Sequence, residues 1–442
     1  MDNQDFERNE QRLESRRLHR LAQKRRRRFQ QRVVLGVLVL ILVLVLVLIV
    51  RGCRSRNAQA DSPQQSAVAA APDSTPDHVE DQPDTVITLA AVGDIMVYDE
   101  QLEAARQSDG SYDFSGCFSA VSALTMGADF TVGNLELNFC GEPYSGRPDF
   151  RAPESLALAL KEKGFDLLQT ANTYSIQNGV SGLKSTLNYL NTVGIDHVGT
   201  YAAQDDKETN AGVLLKNING IKIAFLGYTK GVNNRSLPEG SEYCVDLLYK
   251  DYDSEYKEVN TEAIVKSVKA AKALEPDLIV AMLHWGSEWD TTIVSTQDTI
   301  TDLMLKNGVD VILGSHPHVV GPMKQVSVTT NSGEEKTCFV AYSLGNFLVS
   351  PDSQKYDYAA ESLILNLQIT RNGKTGETAI TGISYTPLYI LKAESATDGT
   401  QYQVVPIRSA IQNEMFPEMT EAFTDAIAHL RANTASDYDS GK

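Results

Sequence analysis

Five short motifs in this 442-residue chain carry side chains that bind metal ions or move protons. They read Gly93-Asp94-Ile95-Met96, Gly133-Asn134-Leu135-Glu136, His284-Trp285-Gly286, Gly314-Ser315-His316-Pro317-His318 and Ser343-Leu344-Gly345-Asn346-Phe347. Three of the seven histidines fall in two of these motifs. Imidazoles with hard carboxylate and amide oxygens form a donor set that suits Zn, Mn or Fe. The His-Pro-His spacing can aim both rings into one pocket, and Pro317 restricts the loop between them. Singly, each residue has an ordinary alternative. Asp94 could cap a turn or a helix, and His284 could be a satisfied core histidine. Jointly they are more informative, because independent structural needs rarely place all of them after apolar runs. The candidate ligands of a divalent metal are therefore Asp94, Asn134, Glu136, His284, His316 and His318. Glu288 is a candidate general acid or ligand, or else a solvated carboxylate. Trp285 and Trp289 flank it and could line a polymer groove, with packing against a sheet as the plainer expectation. Asn346 either orients the site or caps a turn.

Apolar runs precede these motifs and must position them. Residues 86–92, 128–132, 166–170, 221–226, 277–283, 309–313 and 339–343 read as short, mostly buried strands. Residues 181–193 and 296–307 have helical spacing, and Gly308 supplies a C-terminal stop. Such alternation predicts an α/β fold, in which ligands gather at the carboxyl ends of the strands. Residues 359–391 alternate more strictly, with Asn372-Gly373 as a turn signal, and predict antiparallel edge strands. The folded domain is expected over residues 85–395. Residues 396–442 are expected to form a helical extension ending in a disordered tail from Ser436.

Charge divides the chain into two physical objects. Residues 1–56 carry 14 Lys/Arg and 5 Asp/Glu, whereas the remainder carries 26 and 52, a balance of −26. The basic segment 1–32 precedes 18 uninterrupted apolar residues, 33–50. As a helix this run spans roughly 27 Å, close to the hydrocarbon thickness of about 30 Å, and predicts a transmembrane helix. Eleven Lys/Arg lie before it, and Arg51, Arg54 and Arg56 closely follow it. The positive-inside bias puts the N-terminus in the cytoplasm and the large domain outside the cell. The same bias explains the run Lys24-Arg25-Arg26-Arg27-Arg28 as a topology signal that can touch anionic lipid, and no nucleic-acid partner is expected. Residues 51–84, rich in Ala, Gln, Ser, Pro and Asp, read as a flexible linker.

Ala58-Gln59-Ala60 has the form of a signal-peptide cleavage site but lies far beyond the apolar run. Cys53 follows Gly52 as in a lipoprotein, yet Arg51 breaks that pattern. Cys117, Cys140, Cys244 and Cys338 fit no zinc spacing. Free thiols are the default expectation, with Cys117 and Cys140 the nearest candidates for pairing.

The ordered motifs resemble the CapA-type proteins of capsule and poly-γ-glutamate biosynthesis. The matching stretches are Val92-Gly93-Asp94, Gly133-Asn134-Leu135-Glu136, Ala171-Asn172 through Gly179 to Gly182-Leu183, Leu283-His284-Trp285-Gly286-Ser287-Glu288, Gly314-Ser315-His316-Pro317-His318 and Tyr342-Ser343-Leu344-Gly345-Asn346-Phe347. They run in family order over roughly residues 86–350. The resemblance implies a metallophosphatase-like core, a sandwich of two sheets flanked by helices. It implies Asp94 as the first-strand ligand, Asn134 or Glu136 in the bridging position, and His284, His316 and His318 as the remaining ligands. Met96 stands where working metallophosphatases carry a histidine, which weakens one of two metal positions. Asn172 becomes a candidate catalytic or metal-binding amide.

This chain departs from the family pattern at one loop. The expected Ala-Asn-Asn-His, followed by an Asp and a Gly, is here Ala171-Asn172-Thr173-Tyr174-Ser175-Ile176-Gln177-Asn178-Gly179. A tyrosine, with a reference pKa near 10, is a poor substitute for an acid imidazole at neutral pH. The implied partners are an anionic surface polymer such as poly-γ-glutamate or capsule, the membrane, and a membrane synthase complex. Three functions remain open: a metal-dependent hydrolase acting on that polymer, a non-catalytic polymer-binding or assembly subunit, and a secreted metallophosphoesterase. The acidic outer domain would repel a polyanion at long range, although salt screens this beyond roughly 8 Å.

Overall fold

The computed structural model describes residues 82–354, 356–395 and 399–441. The basic segment, the apolar run 33–50, Cys53 and all but the end of the linker lie outside the described residues. Among the described residues no helix is long and apolar enough to cross a membrane.

Fourteen strands form two sheets. The chain opens with β1 (Thr85–Ile95), β2 (Phe130–Leu135), β3 (Leu167–Gln169) and β4 (Asp196–Val198). It continues with β5 (Leu214–Ile218), β6 (Ile221–Thr229), β7 (Leu278–His284), β8 (Val311–Ser315), β9 (Met323–Thr329) and β10 (Glu335–Ala341). It closes with β11 (Asn346–Leu348), β12 (Glu361–Arg371), β13 (Thr378–Ser395) and β14 (Gly399–Pro406). The first sheet takes both ends of this series in the order β14-β13-β12-β1-β2-β3-β4, with β11 beside the end of β1. The second sheet takes the middle, β5-β6-β7-β8-β10-β9. Strands β1 to β4 pair in parallel, as do β6, β7, β8 and β10. Strands β12 to β14 add antiparallel to the open side of β1.

Burial explains why both sheets are needed. The inward faces meet in one core, where Leu89, Val132 and Leu365 of the first sheet join Phe225, Val280 and Leu313 of the second. Phe130 stacks on Phe225 across it, with ring centroids 5.5 Å apart. Helices Thr261–Ala273 and Ser295–Asn307 cover the outer face of the second sheet through Ile264, Val268, Ile300 and Met304. Helix Ser155–Glu162, through Leu156 and Leu160, covers the first sheet. Strands buried on both faces must be apolar throughout, which is why the sequence shows continuous runs. The result is a mixed α/β fold of two packed sheets flanked by helices.

Two findings differ from the sequence reading. The sheet does not end at residue 395, because β14 pairs with β13 from Leu388↔Pro406 to Ser395↔Gly399. The tail from Ser436 is also ordered: Asp439 is buried and paired with Arg408 at 2.6 Å and Arg431 at 2.5 Å. A polar composition concealed both, since a carboxylate with two guanidinium partners folds where composition alone suggests solvent. Cys117, Cys140, Cys244 and Cys338 are all free thiols.

Candidate metal centre

Strand register builds the site before any side chain is considered. β1 pairs with β12 as far as Ala91, then slips and pairs with β11 at Asp94↔Asn346, while Asp94 also lies opposite Asn134 of β2. Gly93 makes the slip possible, because a Cβ there would lie 1.9 Å from the Gly345 carbonyl oxygen. In the second sheet Thr229, His284 and Ser315 occupy neighbouring register positions. The carboxyl ends of both sheets therefore open onto one pocket.

All six predicted ligands converge there, and all are buried. Asn134 Nδ2 donates to Asp94 Oδ1 at 2.7 Å and Asn134 Oδ1 accepts from Asn172 Nδ2 at 3.2 Å. His318 Nδ1 lies 3.1 Å from Asp94 Oδ2 and 3.1 Å from Asn346 Oδ1. The backbone N–H of His316 also donates to Asp94 Oδ2, at 3.3 Å. His284 places Nδ1 3.0 Å from Ser315 Oγ and Nε2 3.2 Å from Glu136 Oε1. The His284 and His316 rings lie 4.6 Å apart between centroids.

Electrostatics prepares the cluster for a cation. Burial would raise the Asp94 pKa, but the hydrogen bond and charge of His318, the charge of His284 and the Asn134 amide outweigh it and hold Asp94 low. Burial would lower His318; Asp94 and the charge of Glu136 overcome that and push it up to about 9. His316 goes the other way, well below 6.5, through burial and the positive charges of His284, Lys230 and His318. A neutral imidazole is the form that ligates metal. Backbone strain points in the same direction: His316 and His318 sit at φ +94° and +58°, left-handed positions that non-glycine residues occupy at a cost of about 1–3 kcal/mol each.

The donor set fits a divalent metal. Asp94, Glu136 and His284 form one group and Glu136, His316 and His318 another, with the ligand atoms of each within 4.8 Å of one another. Glu136 belongs to both. Its Oε1 is buried without a hydrogen-bond partner, despite the nearby His284 Nε2. An orphaned buried carboxylate oxygen among imidazoles is a costly arrangement that a cation would relieve.

Residues 88–351, more than half of the chain, match the family model described as bacterial capsule synthesis protein PGA_cap. The chain belongs to this family. Two PGA_cap-type relatives are the capsule biosynthesis protein CapA of Bacillus anthracis and the PGA biosynthesis protein CapA of Bacillus subtilis (strain 168), each 26% identical to it. The first alignment covers 65% of this chain and 65% of that protein; the second covers 68% and 72%. Among solved structures, a 5'-nucleotidase precursor from Thermus thermophilus aligns over 78% of this chain and 60% of its own, at 13% identity and a TM-score of 0.40. At that level the site stands on this chain's own residues.

The PGA_cap loop that departs from the expected pattern, Asn172 to Gln177, closes one wall of the pocket. Asn172 is buried and committed to Asn134 Oδ1 and, at 2.7 Å, to the Leu135 carbonyl. Thr173 places Oγ1 2.9 Å from His284 Nε2 and 3.4 Å from His316 Nδ1. Tyr174 packs on Phe150, with centroids 4.4 Å apart. Burial first, then the charges of Glu136 and Glu288, drive its pKa above the usual 10. Glu288 itself is exposed, as is the neighbouring Asp290. The two tryptophans separate. Trp285 is fully buried, stacked on Tyr342 and donating Nε1–H to the Tyr342 carbonyl at 3.0 Å. Trp289 stands at the pocket edge against His318, with centroids 5.2 Å apart.

Two contributors were missed by sequence reasoning. Ser315 fixes His284, and Lys230 lies close enough to His316 to depress its pKa. Lys230 follows Thr229 at the end of β6, a strand end like those of the recognised motifs, and that position was the available signal.

Proposed function

We propose that this protein is a single-pass, membrane-anchored CapA-type protein. On this reading it acts outside the cell on an anionic surface polymer, capsule or poly-γ-glutamate, during its synthesis, export or release, alongside a membrane synthase complex. Family membership supports the polymer class. The apolar run 33–50 and the basic residues before it support the anchor. The observation that carries a metal-dependent chemistry is the orphaned Glu136 Oε1 at the meeting point of three buried histidines.

Asp94, Glu136, His284, His316 and His318 would hold the ion, with Asn134 orienting two of the carboxylates. A bound divalent metal supplies a Lewis acid for an amide, ester or phosphoryl oxygen and lowers the pKa of water. The chain's own residues do the rest. With Nδ1 protonated and donating to Ser315, His284 presents Nε2 to the pocket. His316 stays neutral. Lys230, anchored by donation to the Gly286 carbonyl at 2.7 Å, adds positive charge where a negative oxygen would develop. Tyr174 holds its proton and is no efficient donor to a leaving group.

That last point favours a second reading, a non-catalytic polymer-binding or assembly subunit in which the Thr173–Tyr174 replacement removed turnover. Metal content and phenotype separate the two. The full-length protein, reconstituted with Mn, Zn or Fe, should retain bound metal, and His316→Ala should lose both metal and polymer production. Unchanged polymer in the His316→Ala strain, with polymer lost on deletion of the gene, would establish the assembly reading. Turnover of simple phosphoesters would favour a secreted metallophosphoesterase.

A further inference from the structure

A row of aromatic rings leads out of the metal pocket. His318 stacks on Trp289, Trp289 on Tyr356 (centroids 5.0 Å, planes 28° apart), Tyr356 contacts Tyr358 at 6.1 Å, and Tyr358 stacks on His429 at 3.6 Å. The two central tyrosines keep 37% and 39% of their surface exposed, among the few large side chains so open in the described residues. A folded protein normally buries such rings or scatters them singly. Here they are aligned and connected to the candidate centre.

Each ring is also held in place. The Trp289 N–H donates to the Pro317 carbonyl at 2.9 Å, which ties it to the His-Pro-His loop. Trp289 itself adopts φ +62°, a conformation that needs such support. The Tyr356 hydroxyl donates to the Trp289 carbonyl at 3.0 Å. Tyr358 lies on His429, whose ring is fixed by Glu361 and by Asn433 at 2.9 Å. The exposed faces are therefore pre-oriented, which lowers the entropy cost of binding.

Charge narrows the ligand. In sequence the row is flanked by Glu288, Asp290 and Asp357 against the single lysine Lys355. The three carboxylates are exposed. Among the described residues, no cation–π contact joins a Lys or Arg to these rings. A polyanion would meet like charge here. The basic groups that perturb the pocket, Lys230 beside His316 and Arg147 beside Tyr174, act on it through other residues. Flat aromatic faces attract the weakly positive C–H edges of a pyranose ring, and carboxylates accept from its hydroxyls.

We propose that Trp289, Tyr356 and Tyr358 form a binding track for an uncharged pyranose chain, leading into the metal pocket. The proposal deepens the surface-polymer reading above and rests on it for the direction of the track, but binding itself needs neither metal nor turnover.

The chain contains two tryptophans, and one of them, Trp285, is fully buried, so Trp289 is a native reporter. Full-length protein treated with a chelator would be titrated with three probes: a β-1,4-linked N-acetylglucosamine tetramer, the corresponding glucosamine tetramer, and a γ-linked glutamate hexamer. The expected result is a saturable change in tryptophan emission with the N-acetylated tetramer and none with the glutamate hexamer. Tyr356→Ala should weaken that binding about fivefold, the scale of one aromatic contact. Tyr356→Phe, which keeps the ring, should bind within about twofold of the wild type, so that a folding defect is not mistaken for loss of a contact. No emission change with the N-acetylated tetramer, an equal response to the glutamate hexamer, or unweakened binding by Tyr356→Ala would each overturn the proposal. Binding of the glucosamine tetramer alone would also overturn it, replacing the track with a cation site made by the carboxylates. Metal content measured on the same preparation before chelation tests the hydrolase reading separately, so either idea can fail without the other.

Discussion

Asp94 and Glu361 are both buried carboxylates facing an imidazole, and their surroundings tune them in opposite directions. Asp94 receives the Asn134 amide, the backbone N–H of His316 and the ring of His318, and its pKa falls. Glu361, at the start of β12, is paired with His429 of helix Thr420–Asn433, and burial raises its pKa to about 7. The same two side-chain types thus do different work. Several donors around Asp94 stabilise its negative charge in advance of a cation. One partner for Glu361 is not enough to offset burial, and the pair serves to tie the C-terminal helix to the sheet.

The sharpest way to break this comparison is to remove each carboxylate from metal-free protein. Asp94→Ala strands the His318 imidazolium and the Asn134 amide in a dry pocket. It should cost about 3–5 kcal/mol in urea unfolding, the usual penalty for breaking a buried pair. A loss below about 1 kcal/mol would mean that the pocket is wetter and less preorganised than its contacts imply. Glu361→Gln should behave differently. The folded-state pKa of Glu361, about 7, lies above its ordinary 4.5, so its contribution to stability is full below pH 4.5 and is lost as pH rises through 7. At most about 3 kcal/mol is at stake across that window. Unfolding measured from pH 4.5 to 8 should therefore show a downward slope in the wild type that is shallower in Glu361→Gln. Parallel slopes would remove the contrast.

The two regions also differed in how legible they were. Metal chemistry demands particular donors, and the fold puts them directly after apolar strands, so Asp94, Asn134, Glu136, His284, His316 and His318 could be picked out with no contact known. The parallel strands were equally plain, because strands covered on both faces are apolar without interruption. What stayed hidden depends on contacts between distant, individually unremarkable residues. His429 and Glu361 are 68 positions apart, and Tyr356 and Trp289 are 67. Neither the helix pattern around His429 nor the polar stretch around Tyr356 carries a local sign of its partner. The polar residues 394–400 likewise read as an exit from the domain, although they lead from β13 into β14.

Within the metal pocket the contrast can be refined at Thr173. Its hydroxyl touches two imidazoles but is a weak ligand beside the carboxylates. Thr173→Asn restores an amide at that wall and should strengthen metal binding about tenfold, the scale on which groups around a ligand set act. Competition against a fluorescent chelator measures this directly. Unchanged or weaker binding would show that the wall is closed by Thr173 for packing, and that the ligand side alone sets affinity.

The smallest effect is expected one residue further on. Tyr174 occupies the position where an acid imidazole is expected, but burial and the charges of Glu136 and Glu288 keep its phenol protonated far above neutral pH. A group that does not exchange its proton near pH 7 contributes little as a general acid. Tyr174→Phe preserves the ring that packs on Phe150 and removes the hydroxyl alone. Surface polymer made by cells carrying this variant should stay within about twofold of the wild type, since no proton transfer is lost. A fall of tenfold or more would mean that the hydroxyl meets the substrate. The Thr173–Tyr174 wall would then be a rebuilt part of the chemistry, and the assembly reading would lose its main support.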